Sequence, residues 1–337
     1  MPAAESGAML ARKMIVGGKT CLHGIAAASL AAAVALSCGV ARAEPATDPA
    51  KVPLPKPAPN CERAKFRVVL DVGHTADDTG AVSARGFGEY GFNLRLAKQV
   101  DKALIDAGFD KTVLLVTGGP GKRSLYARMA RVNKMSADLL LSLHHDSVPD
   151  KFYEKWEFEG KPHIYNDRFK GYSIFISNRN PEYDASLNFG RMLGGKLRER
   201  GLQYTPHYTE AFMGRNRHTL LDAKAGVYQY DTLFVLKRSR MPAALLEAGS
   251  IVNRDEELAL ATPERQRLIG AAVVDAVDTF CAARSRAPTQ VTQSAKSVPH
   301  PRSSRPRSKP KPKPKAEVAT APFLGWYLPS AYQAKQQ

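Results

Sequence analysis

The sequence predicts an α/β fold, three layers α/β/α around a mainly parallel twisted sheet, in a single domain. Three observations predict it. Strand-like runs alternate with helix-like patterns from residue 61 to about 284. Asp138 to His144 (Asp-Leu-Leu-Leu-Ser-Leu-His) is apolar on both faces, as a parallel strand covered by helices on each side must be. Two further segments carry one-sided apolar stripes at helical spacing, Phe92, Leu96, Val100 and Leu104 in the first, Leu268, Ile269, Ala272, Val273, Val277 and Phe280 in the second.

In chain order, Phe66 to Asp71 is a short β-rich run ending at Gly73-His74. A Gly-rich loop follows, then a helix from about Glu89 that Gly108 stops. Thr112 to Thr117 reads as the next strand, Ser124 to about Asn133 as a helix, and Asp138 to His144 as a central strand. Tyr172 to Ser177, Leu233 to Leu236 and Ala243 to Glu247 supply further strands. Asp184 to Arg200 is a helix closed by Gly201, and Thr262-Pro263-Glu264 opens the last one.

The 337 residues are 44% apolar and 24% charged, too apolar for a disordered chain and too polar for a polytopic membrane protein. The net charge of +17 is unevenly placed, because residues 285–337 hold ten basic residues and one acidic. Half the excess thus sits in a Lys/Pro-rich low-complexity tail, which removes nucleic acid as the expected partner. Residues 1–43 read as a secretory signal peptide: Arg12, Lys13 and Lys19, an apolar stretch from Gly24 to Val40, then Ala41-Arg42-Ala43. That stretch is shorter than the roughly 20 residues of a spanning helix, so the mature chain is expected to lack a transmembrane segment and to work in the periplasm. A retained anchor and lipidation at Cys38 are the alternatives. Residues 44–60 form a Pro-rich linker, leaving 61–284 as the domain. Cleavage leaves Cys61 and Cys281, which suggest a disulfide in an oxidising compartment; two buried free thiols are the other reading.

In open α/β sheets, chemistry lies outside the carboxyl ends of the strands. His74 follows the first strand, His144 ends a central one, Glu247 ends a late one, and Glu89 opens the helix after the first loop. Two imidazoles and a carboxylate are the donor set of a catalytic zinc site. Each has a bland reading as a turn residue, a buried imidazole or a helix-start acid. Glu247 resists its own, because an ionisable group between Leu246 and Ala248 is costly without a partner or a role.

Four segments in register carry a resemblance: Val69-Leu70-Asp71-Val72-Gly73-His74; Glu89 with Phe92-Asn93-Leu94; Arg128 to Asn133 leading to Ser142-Leu143-His144; and Met241 to Gly249 with Asn253 close behind. Over roughly Phe66 to Phe280 the chain resembles the zinc-dependent N-acetylmuramoyl-L-alanine amidases, bacterial cell-wall hydrolases. The resemblance implies one Zn²⁺ per chain held by His74, Glu89 and His144, with Glu247 as the catalytic carboxylate. It also implies peptidoglycan as substrate, cut between N-acetylmuramic acid and L-alanine. A peptidoglycan-binding protein without catalysis and a zinc peptidase with another acyl group are the alternatives.

The chain departs from that pattern after the third ligand, reading His145-Asp146-Ser147, which makes His145 a second candidate. Strand alternation favours His144, since it groups with Leu140 and Ser142. Residues 148–171 and 203–230 are longer than usual connections. One of them could be a lid that an activator protein relieves; the rival is that the basic stretch Arg215 to His218 grips the carboxylates of the stem peptide, and an inert insertion is the third reading; Arg215, Arg217 and Asn253 are the substrate-binding candidates.

Overall fold

The computed structural model describes Ala58 and residues 60–286; the signal peptide, most of the linker and the tail lie outside the described residues. A seven-stranded sheet is built from β1 (Val68–Val72), β2 (Val113–Leu115), β3 (Leu139–Asp146), β6 (Ser173–Ile176), β7 (Thr219–Asp222), β8 (Val227–Gln229) and β9 (Ala243–Ser250). Its order is β2-β1-β3-β9-β6-β8-β7. The pairs β1/β2, β1/β3, β3/β9 and β6/β8 are parallel, whereas β6/β9 and β7/β8 are antiparallel. The expected mainly parallel α/β sheet is what forms.

Alternation along the strands divides the core. Val68, Leu70 and Val72 of β1 and Leu139, Leu141 and Leu143 of β3 face one side. There they pack with α1 (Glu89–Asp106), α3 (Tyr183–Glu199) and α6 (Pro263–Arg286) through Phe92, Leu96, Phe189, Val273, Val277 and Phe280. Val69, Leu140 and Leu245 face the other side, against α2 (Gly121–Val132) and α4 (Phe234–Arg238) through Met129, Val132 and Leu236. Cys61 and Cys281 are joined, with Cα atoms 5.2 Å apart across a sequence separation of 220.

Three details differ from expectation. Leu233 to Leu236 is not a strand but leads into α4, because a four-residue apolar run carries no period that separates the two. Residues 148–171 contain an antiparallel hairpin, β4 (Glu154–Phe158) and β5 (Lys161–Tyr165), apart from the main sheet. Its Trp156 lies under Arg85 and Arg254 and donates its indole N–H to the Ala84 carbonyl at 2.9 Å. Residues 203–230 supply β7 and β8 and bury Tyr208, Met213 and Tyr228 in the second core layer. That segment is part of the sheet, so removing it would strip a sheet edge rather than open a lid.

Candidate active site

The strand order turns back at β1, since β2 lies on one side of it and β3 on the other. Loops leaving the carboxyl ends of β1 and β3 therefore diverge there and leave a crevice. His74, just past β1, has φ +64°, a left-handed conformation that a non-glycine residue adopts only where its surroundings hold it. Arg128 of α2, itself buried, donates from Nη2 to the His74 carbonyl at 2.9 Å. Its guanidinium also lies 3.2 Å from the buried Asp71 carboxylate, which accepts from the Ser142 hydroxyl at 2.7 Å.

Glu89, at the first position of α1, joins the two histidines. His74 Nε2 lies 3.0 Å from its Oε2, and His144 Nδ1 lies 2.9 Å from its Oε1. The Asn93 amide and the backbone N–H groups of Ala81 and His145 also donate to this carboxylate. Burial alone would raise the Glu89 carboxyl, but the hydrogen bonds to His144 and His74 outweigh it and hold it well below the usual carboxylate range. The three ligand atoms lie within 4.8 Å of one another. Two glycines make room for the rings: a side chain at Gly73 would collide with the His144 imidazole, and one at Gly80 with Glu89 and His74.

His145 points the other way along the strand. Its ring packs against Phe92, its Nδ1–H donates to Asn93 Oδ1 at 2.7 Å, and burial pushes its pKa down to about 3. The period of two that separates the faces of β3 thus separates the two histidines.

Glu247 of β9 is the register partner of His144. Its Oε2 is enclosed and has no hydrogen-bond partner among the described residues. Burial raises its carboxyl well above the usual range, and the neighbouring Asp146 and Glu89 charges add to the rise. Asp146 is pushed up to about 7 by burial, against the pull of the Tyr208 hydroxyl, which lies 2.7 Å from each of its oxygens. His74, Glu89, His144 and Glu247 all line one cavity of about 510 Å³, walled by α2 and by the chain entering α4.

The other expected binding residues lie elsewhere. Arg215 and Arg217 are exposed and do not line this cavity. Asn253 is a helix cap: its Oδ1 accepts from Asp255 N and Glu256 N at the start of α5 (Arg254–Ala261), and its amide donates to the Asp167 and Phe169 carbonyls. With every polar atom committed and only 3% exposure, Asn253 has nothing left for a substrate. Of the two insertions, residues 148–171 contribute nothing to the cavity lining and residues 203–230 contribute Tyr230 at their end. Sequence reasoning missed Lys122, Arg128 and Tyr208 as parts of this region; only the Arg128 position lay in a segment the resemblance had marked.

The donor set can be tested against a zinc ion. Bonds of 2.0–2.2 Å at tetrahedral angles put neighbouring ligand atoms about 3.4 Å apart. The 2.9 and 3.0 Å contacts around Glu89 are close to that spacing, and two imidazoles with one carboxylate leave a fourth position open. The residues present fit the ion.

Comparison with known proteins gives a consistent answer. The sequence profile described as N-acetylmuramoyl-L-alanine amidase matches residues 68–279. The N-acetylmuramoyl-L-alanine amidase AmiA of Escherichia coli (strain K12) is 25% identical over 256 residues, covering 67% of this chain and 79% of its own. AmiA of Salmonella typhimurium is 25% identical over 247 residues, with the same two coverages. Among solved structures, the N-acetylmuramyl-L-alanine amidase Ami1 of Mycobacterium smegmatis aligns with a TM-score of 0.50 at 17% identity, over 65% of this chain and 98% of that one, which shows a shared fold.

Proposed function

Since the chain belongs to the N-acetylmuramoyl-L-alanine amidase family and is an amidase acting on peptidoglycan, we propose that its hydrolysis is zinc-dependent, with His74, Glu89 and His144 holding one ion and Glu247 as the catalytic acid–base. The observation that carries this reading is the placement of a buried Glu247 oxygen without a partner on the same cavity as three convergent ligand atoms. The chemistry such an ion supplies when bound is Lewis acidity toward the amide carbonyl and toward water.

The chain's own residues do the rest. Glu247, in its carboxylate form, takes the proton of the attacking water and delivers it to the leaving nitrogen of L-alanine, and the burial that raises its carboxyl makes it a stronger base for the first step. Glu89 stays ionised through its bonds to both histidines. Arg128 fixes the His74 backbone, and Gly73 and Gly80 leave the space the rings occupy. The apolar wall of Leu125, Leu233 and Phe234 excludes water from one side of the cavity.

The proposed domain is 61–284. Work outside the cytoplasm, in the periplasm, is supported by the N-terminal signal pattern and by the Cys61–Cys281 disulfide, which persists in oxidising compartments. No helix among the described residues is long and apolar enough to cross a membrane.

The test is metal content and release of stem peptides from peptidoglycan by the chain from Glu44 onward. About one zinc per chain, with release lost on chelation and restored by zinc, is the expected result. Release that persists in zinc-free protein would overturn it.

A further inference from the structure

We propose that Lys122 is the specificity residue of this cavity, binding a carboxylate of the peptide just beyond the scissile amide. The inference rests on the reading above. Hydrolysis at the muramoyl–alanine bond needs the peptide side of the substrate to leave the cavity past one of its walls. The sequence suggested Arg215 and Arg217 for its acidic groups, but both lie away from the cavity.

Lys122 is the exposed cation among the cavity's lining residues. The other cation there, Arg128, is buried and already occupied by Asp71, Thr117 and the His74 carbonyl. Lys122 makes no ion pair or hydrogen bond among the described residues, so its ammonium is free to meet an incoming anion. Two sets of contacts fix where it stands. The Thr75 hydroxyl, one residue after His74, donates to the Gly119 carbonyl at 2.9 Å, and Gly119 N–H donates to Asp77 Oδ2 at 2.7 Å. Six residues further along α2, Arg128 ties the helix to His74 itself. α2 is thus anchored to the His74 loop just before its start, at Gly119, and again at Arg128, with Lys122 between the anchors.

The rest of the wall explains why the contact discriminates. Leu125, Leu233 and Phe234 are apolar and offer no partner to a carboxylate. Asp78 also lines the cavity and repels one, but it lies against Gly121 at the helix start, where a negative charge is favoured. A carboxylate entering here loses water on one side and meets in Lys122 the one exposed full positive charge of the lining, as a charge-assisted hydrogen bond. A neutral amide at the same place gains less.

The experiment uses the zinc-loaded protein and two N-acetylmuramoyl-L-alanyl peptides, identical except that the second residue carries a free carboxylate in one and its amide in the other. The readout is the ratio of kcat/KM for the acid to that for the amide. Wild type is expected to favour the acid, and K122Q to lower that ratio by about tenfold through KM, with zinc content and Tm retained. K122E is expected to reverse the preference. A wild type without preference, or a K122Q ratio equal to the wild type's, overturns the proposal. A wild type that cuts neither peptide while holding zinc overturns the underlying functional reading instead, and this inference with it.

Discussion

Glu247 stands across the parallel β3–β9 ladder from His144, so the proposed catalytic carboxylate and one of the proposed metal-binding imidazoles are set by a single register between two central strands. Both residues lie on the face of the sheet covered by α2 and α4, and both line the same cavity. Glu247 is not among the three atoms that converge within 4.8 Å. Replacing it should therefore separate binding from chemistry.

Glu247→Gln is expected to keep about one zinc per chain and to lose 10²- to 10⁴-fold in turnover, the usual range for a general acid–base group. It also removes a carboxyl that burial, Asp146 and Glu89 make costly to ionise, so its Tm should not fall. Zinc analysis with a hydrolysis assay checks this; metal loss in the variant would make Glu247 a ligand.

Arg128 acts at a distance from the substrate, through the His74 carbonyl and the Asp71 carboxylate. A lysine there keeps the charge but cannot serve Thr117, Asp71 and the carbonyl at once, because its donors share one nitrogen. Arg128→Lys is expected to fold yet to bind zinc about tenfold more weakly in a chelator competition, since His74 loses the contact that holds its left-handed backbone. Arg128→Gln leaves Asp71 buried without a cation and should cost about 3–5 kcal/mol of stability. Unchanged zinc affinity in the lysine variant would detach Arg128 from the metal loop.

The layers were legible because the central strands are apolar on both faces and the helices flanking them carry one-sided stripes. The His74, Glu89, His144 and Glu247 positions were legible because each sits at the end of such an element, where the topology brings loops together. What the sequence hid depends on distant contacts. The β7 and β8 strands are short and sit at the sheet edge, so their apolar residues read as an insertion. Tyr208 and Lys122 are ordinary by type, and only the bond to Asp146 or the place beside the His74 loop gives them meaning. Asn253 was misread for a related reason: a capping amide and a substrate-binding amide look the same until the α5 N–H groups that occupy it are known.

The Cys61–Cys281 bridge closes the whole domain, joining the segment that leads into β1 to the body of α6. By chain-entropy reasoning a loop of that length stabilises by about 5 kcal/mol. Cys61→Ser/Cys281→Ser is expected to lower Tm by about 10–20 °C, with the reduced wild type falling to the same value. The cluster lies at the other end of the strands, so zinc content at low temperature should remain near one per chain. A Tm that reduction does not move would show that the bridge adds nothing to the fold.

His207 predicts how the fold responds to acid. Phe169 and Tyr208 lie against its ring with centroids 4.7 and 4.2 Å away, its Nδ1 pairs with the Thr205 hydroxyl, and its Nε2 is buried without a partner among the described residues. Burial, helped by His218, pushes its pKa down to about 4. A folded pKa below the unfolded value near 6.5 means that the unfolded chain takes up this proton first. The contribution is therefore complete above pH 6.5 and is lost as pH falls through the window down to about 4. At about 1.4 kcal/mol per pKa unit, the loss is on the order of 3 kcal/mol. His145, held near 3 by burial, acts in the same direction. Urea unfolding of wild type and His207→Gln from pH 7 to 4 checks the sign: the variant should lose less stability over that window, while equal losses would mean that His207 takes up its proton in the folded protein as readily as in the unfolded chain.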